Sequence, residues 1–151
     1  MTGATGFIGS HLVESLLEGG SEIICLVRKS SRLDWLRGLN VTFIYGELTQ
    51  KETLHQAVHD IDVIYHLAGL TKALSQRDYD HINFYGTRNL LEACSEQSPK
   101  PRRFVFLSSL AAAGPSSPEK PKLECDPCEP VSSYGLSKLK AEQVVQEYSG
   151  E

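Results

Sequence analysis

The chain has 151 residues, 40% of them hydrophobic, which fits one globular domain with a core of its own. Its 15 basic and 19 acidic residues give a net charge of −4 and argue against a polycationic surface for nucleic acid or an anionic membrane. No apolar run approaches the roughly 20 residues that span a bilayer, and residues 1–10 lack the basic-then-apolar order of a signal peptide. We therefore predict one soluble, cytoplasmic domain over residues 1–151.

Short apolar runs alternate with helical patterns along the chain. The runs typical of strands buried on both faces are residues 22–27, 41–46, 62–69 and 103–109. The helical patterns are residues 8–18, 51–59, 82–94 and 133–148. This alternation predicts an α/β fold, a doubly wound parallel sheet with helices on both faces.

The segment 110–131 contains five of the seven prolines and no clear period, so we predict a long functional loop. Within it, Cys125 and Cys128 form a lone C-x-x-C, which is a redox pair, half of a metal site or ordinary loop sequence. No second pair or nearby histidine completes a set of four ligands, so we predict no metal. Cys25 and Cys94 lie in apolar stretches and are expected to be buried thiols.

The opening stretch MTGATGFIGS spaces Gly3, Gly6 and Gly9 as G-x-x-G-x-x-G at the start of a helix. Such a turn lets the backbone approach a pyrophosphate, and the helix N-terminus offers N–H groups to the phosphates. A flexible glycine-rich start is the alternative. A strand normally precedes this loop. We therefore expect that apolar residues belong before Met1 in the parent protein, or that the central slot is filled in another way.

A basic turn follows the strand run at 22–27, about 20 residues beyond the loop, where a dinucleotide fold contacts the adenosine ribose. An acidic residue there would suit NAD, whereas Arg28, Lys29, Ser30 and Arg32 suit a 2′-phosphate. We therefore predict NADP in preference to NAD, with a solvated basic turn as the alternative.

Tyr134 and Lys138 stand four residues apart, which places them on one face of a helix. A nearby ammonium favours the phenolate form, so Tyr134 can donate or accept a proton at a carbonyl or carbinol oxygen. Taken alone, such a pair would be unremarkable in any helix.

Six motifs occur in a familiar order: TGATGFIG, the Arg28 turn, LAG at 67–69, NFYGTRNLLEA at 83–93, FLSS at 106–109 and YGLSK at 134–138. Together they resemble the extended short-chain dehydrogenase/reductase family, which includes NAD(P)-dependent epimerases and dehydratases. The resemblance covers essentially the whole chain. It implies a Rossmann-like domain, a small-molecule substrate and compatibility with a homodimer.

The resemblance also implies a set of catalytic residues. Tyr134 is the expected acid/base, and Lys138 favours its phenolate form and holds the nicotinamide ribose. Ser109 is expected to hydrogen-bond the substrate oxygen. It is preferred to Ser108 because it lies 25 residues before Tyr134. Asn83 is expected to support Lys138 through water.

Cofactor contacts are implied in several short segments. They fall on Gly3, Thr5, Gly6, Phe7, Ile8, Gly9, Arg28, Lys29, Ser30, Glu47, Leu48, Leu67, Ala68 and Gly69, together with Tyr134 and Lys138. At the adenine contact, residues 46–49, Glu47 stands where the family usually has aspartate.

The expected reaction is hydride transfer between nicotinamide and a substrate carbonyl or carbinol carbon. An epimerase or dehydratase acting on a nucleotide sugar is one reading. A reductase of dihydroflavonol or hydroxysteroid type, or a non-catalytic NADP-binding regulator, are the alternatives. Family members continue with a C-terminal substrate region, so we expect that residues 1–151 alone turn over little substrate.

Overall fold

The computed structural model describes residues 1–149, which fall into two compact units. The first unit contains residues 1–68 and 89–107, and the second contains residues 69–88 and the described residues from 108 onward. A single domain over 1–151 stays a prediction, and its last two residues lie outside the described part. No helix within residues 1–149 combines the length and apolarity needed to cross a bilayer.

The first unit carries all four strands. Its elements are α1 (Phe7–Glu18), β1 (Ile23–Val27), β2 (Val41–Tyr45), α2 (Leu54–Val58), β3 (Val63–His66), the part of α4 (Gly86–Ser95) from Asn89 onward, and β4 (Arg103–Phe106). Every predicted strand is present, although each is shorter than its apolar run. A single turn of 3₁₀ helix at Asp34–Leu36 was not predicted, and the pattern predicted as helical over 51–59 begins with another, Lys51–Thr53.

The strands are parallel, as predicted. β1 pairs with β2 with Ile23 opposite Val41, and β3 pairs with β4 with Val63 opposite Arg103. Thr2 forms parallel bridges to both β1 and β3, so the first two residues of the chain occupy the end of the slot between these strands. The order across the first unit is therefore β2, β1, Met1–Thr2, β3 and β4.

Two apolar clusters cover opposite sides of β1 because side chains alternate along a strand. On one side, α1 contributes Val13 to a cluster with Ile23, Cys25 and Val27. On the other side, Leu26 joins side chains of α2, β3 and α4, which are Leu54, Ala57, Val58, Ile64, Leu90, Ala93 and Cys94. Cys25 and Cys94 are buried free thiols, as predicted.

The prediction that all four strands are buried on both faces was wrong. Tyr45 in β2 is 53% exposed and Val105 in β4 is 38% exposed. Within the first unit these two strands are outermost, so their side chains have fewer neighbours than those of β1.

The second unit is built from helices. α3 (Gln76–Tyr79) continues into a turn of π-helix (Asp80–Tyr85) and then into the start of α4, and α5 (Leu110–Ala113) precedes α6 (Ser133–Ser149). An ion pair between Lys140 and Asp80, 2.6 Å long, joins α6 to the π-helix. α3 was not predicted, and the helical pattern predicted over residues 82–94 begins inside the π-helix.

The prediction of an unbroken loop over 110–131 was wrong at its start, where α5 lies. Ser109 Oγ accepts a hydrogen bond from the Ala111 N–H and caps this short helix. No Cβ would fit at Gly135, because it would overlap the Ala111 carbonyl oxygen, so this glycine permits close packing of α5 on α6. Cys125 and Cys128 are exposed free thiols in the irregular segment between these helices.

Candidate active site

At two positions of the glycine loop, Gly3 and Gly9, another part of the backbone lies too close to leave room for a side chain. Gly3 has φ of +74°, and a Cβ there would lie 2.6 Å from the Ala68 nitrogen. A Cβ at Gly9 would overlap the Gly3 carbonyl oxygen, so α1 can begin directly against the loop only if this residue is glycine. Gly3, Gly9 and Ala68 are thus brought together, as a phosphate loop requires.

The first turn of α1 has features that suit a phosphate. Gly6 is the N-cap, no side chain caps the helix, and no acidic side chain lies in the first turn. The N–H groups of Phe7, Ile8 and Gly9 have no partner inside the helix because the preceding turn is missing. These donors and the helix dipole favour an anion. Thr5 is half-buried beside them, and Phe7 and Ile8 have exposed side chains.

The basic turn follows the end of β1. Arg28 and Ser31 close it, since the Arg28 N–H donates to Ser31 Oγ over 3.1 Å and the Ser31 N–H donates to the Arg28 carbonyl over 2.9 Å. The side chains of Arg28, Lys29, Ser30 and Arg32 are exposed. Among residues 1–149, no carboxylate is recorded within ion-pair distance of these cations, so their charge is available to an external anion.

The other cofactor candidates of the first unit also follow strand ends. Glu47, after β2, is exposed, and its N–H donates to Thr53 Oγ1 over 3.0 Å. Leu48 lies in the core, and its carbonyl accepts from Asn89 Nδ2, so its side chain is not available to a ligand. Leu67 follows β3 and donates its N–H to the Thr2 carbonyl over 3.2 Å. Because the strands are parallel, all of these segments lie at one edge of the sheet, the usual position of a ligand in open α/β sheets.

In the second unit, Asn83 is the most constrained candidate. It is 2% exposed and lies in the π-helix. Its Oδ1 accepts from the Leu70 N–H over 2.6 Å, and its Nδ2 donates to the Leu70 carbonyl over 3.0 Å and to Ser137 Oγ over 2.9 Å. Ser137 Oγ in turn donates to the Tyr134 carbonyl over 2.7 Å. Asn83 therefore holds the segment after Gly69 and the first turns of α6.

Lys138 is 3% exposed. Burial lowers the pKa of its ammonium from 10.5 to about 8, an effect that Glu142 partly opposes. A Cβ at Gly69 would lie 3.4 Å from Asn83 Oδ1 and 4.0 Å from Lys138 Nζ. The structure thus brings Gly69, Asn83 and Lys138 together, and the absence of a side chain at Gly69 leaves space beside the ammonium.

Tyr134 is half-buried in the first turn of α6, with its ring centroid 6.0 Å from that of Tyr79. Ser109 is half-buried and uses one lone pair to cap α5, which leaves its hydroxyl hydrogen for another acceptor. Ser108 Oγ is buried without a hydrogen-bond partner among residues 1–149. Ser137 is a residue that the sequence reasoning missed, because a serine inside a helix gives no signal of its contacts.

The match to known proteins decides the family. The family model described as NAD dependent epimerase/dehydratase matches residues 1–151. The chain belongs to this family. The relatives of this chain are therefore enzymes. The predicted resemblance to the extended short-chain dehydrogenase/reductase family is confirmed.

Two relatives illustrate the chemistry found in this epimerase/dehydratase family. UDP-glucose 4-epimerase of Erwinia amylovora is 34% identical over 164 residues, covering 99% of this chain and 48% of that protein. The 3 beta-hydroxysteroid dehydrogenase type 7 of Mus musculus is 33% identical over 164 residues, covering 99% of this chain and 44% of that protein. This chain thus spans about half the length of the curated relatives it matches.

A solved structure supports the fold. The dTDP-glucose 4,6-dehydratase DesIV from Streptomyces venezuelae, with NAD and TYD bound, matches with a TM-score of 0.88 and 26% identity. The match covers 99% of this chain and 50% of DesIV. The predicted Rossmann-like class is confirmed, and the family is NAD-dependent.

The buried Lys138 of this family member should give stability a characteristic pH dependence. From about pH 8 to 10.5 the folded chain has released a proton that the unfolded chain still binds, so the free energy of unfolding rises with pH. Relative to Lys138→Met, the unsubstituted chain should gain ~3 kcal/mol across this window in urea unfolding. Parallel curves for the two proteins would contradict a buried ammonium.

Proposed function

We propose that residues 1–151 form the cofactor-binding part of an NADP(H)- or NAD(H)-dependent oxidoreductase of the epimerase/dehydratase type. The N–H groups at the start of α1 would hold the pyrophosphate. The turn at Arg28–Ser30 would hold the adenosine ribose, and the backbone at Leu67–Gly69 would line the cofactor. The uncapped helix start and the unpaired basic turn support this assignment.

Preference for NADP is the more specific part of this proposal. A 2′-phosphate needs positive charge and donors, which Arg28, Lys29 and Ser30 supply. Glu47 would meet the adenine through its exposed carboxylate, because its backbone N–H and carbonyl already bond to Thr53 and Gln50.

Proton transfer is assigned to Tyr134. The observation that carries this assignment is the buried Lys138 four residues later on α6, because this spacing places the two side chains on one helix face. Tyr134 would exchange a proton with the substrate oxygen, and Ser109 would donate its free hydroxyl hydrogen to the same oxygen. Asn83 would keep this arrangement fixed through Ser137. When bound, the nicotinamide would accept or supply the hydride.

A nucleotide sugar is the proposed substrate class, with the epimerase and dehydratase relatives as its support. Reduction of a ketone, as the hydroxysteroid relative's name suggests, is the second candidate, and the basic turn favours it if NADPH supplies the hydride. We place the substrate-binding region in the length that the relatives carry beyond the matched segment.

Cofactor preference is tested by titrating the chain with NADPH and NADH while nicotinamide fluorescence is recorded. We expect tighter binding of NADPH, and Arg28→Ala should weaken it about tenfold without changing the affinity for NADH, because only the 2′-phosphate is lost as a partner.

Arg37→Ala is the matched control, since it removes one exposed cation from the same unit, and Arg37 already pairs with Asp34. Equal affinities for the two cofactors in the unsubstituted chain, or a preference for NADH, would refute the role of the basic turn.

The catalytic assignment is tested in a full-length enzyme that carries residues 1–151. Tyr134→Phe should lower kcat by about 100-fold or more while the dissociation constant of the cofactor stays unchanged, because only proton transfer is lost. Tyr85→Phe, which removes a hydroxyl from an exposed ring, serves as the control.

The same preparation distinguishes the substrate classes. Epimerisation of UDP-glucose leaves the nicotinamide absorbance at its starting value, whereas reduction of a ketone consumes NADPH in proportion to product. Activity that persists in Tyr134→Phe would show that another group exchanges the proton.

A further inference from the structure

Cys125 and Cys128 are exposed free thiols three residues apart, in the irregular segment between α5 and α6. No hydrogen bond is recorded for either residue within residues 1–149, and the proposed reaction uses neither. Cys25 and Cys94 differ, because both are buried in the apolar clusters of the first unit. The accessible thiols of the chain therefore form one pair, close in sequence.

The segment that holds this pair is folded into a tight turn. The Asp126 N–H donates to the Leu123 carbonyl over 3.1 Å, and the Leu123 N–H donates to Asp126 Oδ2 over 2.9 Å. These two bonds close a turn in which Cys125 is the third residue. The chain also bends at Asp126, so Cys125 and Cys128 lie on the two arms of the bend.

The residues that flank the turn also lie close together. Lys122 Nζ is 3.9 Å from Glu129 Oε2, so the stretch between these two residues forms a closed loop. A disulfide needs Cα atoms about 4.4–6.8 Å apart, and residues three apart in a tight turn lie within about 7 Å. Because no hydrogen bond holds the backbone of Cys125 or Cys128, a local rearrangement brings the two sulfurs together.

Residues 128–130, here called the strap, connect the thiol pair to α5. The Glu129 N–H donates to the Ala113 carbonyl, at the end of α5, over 3.0 Å. A Cβ at Gly114 would lie 2.3 Å from the Glu129 carbonyl oxygen, so only glycine permits this approach. The strap is therefore packed directly against the end of α5.

Pro130 connects the strap to α6. A Cβ at Gly135, in the first turn of α6 and next to Tyr134, would lie 3.1 Å from the Pro130 Cβ. Ser109, the other residue assigned to the substrate oxygen, lies directly before α5. A bond formed at Cys128 therefore restrains the segment that separates Ser109 from Tyr134 along the chain.

We propose that Cys125 and Cys128 are a site of reversible disulfide formation, and that this bond stiffens the strap against α5 and α6. The oxidant is a small-molecule disulfide of the glutathione type. The site is independent of the cofactor, since neither thiol belongs to the segments assigned to cofactor binding.

The oxidation proceeds by two thiol–disulfide exchanges. The thiolate of one cysteine attacks a sulfur of glutathione disulfide, so that a mixed disulfide forms and one glutathione leaves as its thiolate. The thiolate of the other cysteine attacks the protein sulfur of this mixed disulfide and displaces the second glutathione thiolate. The two departing thiolates take up the two protons that the cysteines release. The cysteine pair is thus oxidised by two electrons, and glutathione disulfide is reduced to two thiols.

Ring closure should prevail over the mixed disulfide. Because the second thiol is tethered three residues away, it meets the mixed disulfide at an effective concentration on the order of millimolar. When reduced glutathione is kept about tenfold below that concentration, the internal disulfide should exceed the mixed disulfide about tenfold.

The test treats the reduced chain with glutathione disulfide, blocks free thiols with an alkylating reagent in denaturant, and maps the products by mass spectrometry. We expect a disulfide that joins Cys125 to Cys128, while Cys25 and Cys94 are recovered as alkylated thiols because burial protects them from exchange. In the same oxidised chain, NMR should show that hydrogen exchange of the Glu129 amide slows about tenfold, because opening of the strap is restricted.

Cys125→Ser and Cys128→Ser are the matched controls, since each removes one sulfur at an exposed position. Each variant should accumulate the glutathione adduct on its remaining exposed thiol, and its Glu129 amide should exchange as in the reduced chain. Dithiothreitol should return the oxidised unsubstituted chain to the reduced mass and exchange rate. None of these measurements needs cofactor or turnover, so their failure is distinct from failure of the proposed function.

Four free thiols after equilibration with excess glutathione disulfide would overturn the proposal. A persistent glutathione adduct on the unsubstituted chain, or a disulfide between two chains, would overturn it as well. An internal disulfide that leaves the Glu129 amide exchanging at its original rate would refute the effect on the strap.

Discussion

The contact between Gly9 and the Gly3 carbonyl is the constraint on which the first unit depends. It lets α1 start immediately after the backbone that pairs with β1 and β3, with no side chain between the helix and the loop. The free N–H groups of the first helical turn are thereby fixed at the sheet edge where the basic turn and the segment after β3 also lie. A phosphate site made from backbone depends on this placement more than on any side chain.

The second unit uses a different device, a buried amide with several partners. Asn83 satisfies both hydrogens and one lone pair of its side chain through Leu70 and Ser137. Burying this network costs little free energy, because every polar group in it has a hydrogen-bond partner. Lys138 is the opposite case, since its ammonium is buried at the cost of a lowered pKa.

The sequence predicted the strands and the long helices well, because each is an apolar run or a sustained period. It missed α5, which is only four residues long. It predicted a helix from residue 82 but not that its first turn is a π-helix beginning at Asp80, because the two helix types share one side-chain pattern. It overestimated the burial of β2 and β4 because an apolar run does not reveal how many neighbours a strand has. The partners of Asn83 lie 13 and 54 residues away, so only the folded backbone identifies them.

The central claim is that the backbone at the start of α1 binds the cofactor phosphates. The most direct measurement is the change in amide NMR shifts when NADPH is added to the isotopically labelled chain. The largest changes should fall on residues 6–9, because the N–H groups of Phe7, Ile8 and Gly9 are assigned to the pyrophosphate. A second group should fall at residues 28–30, whose side chains are assigned to the 2′-phosphate. Saturating binding that leaves the amides of residues 6–9 unmoved would contradict the account.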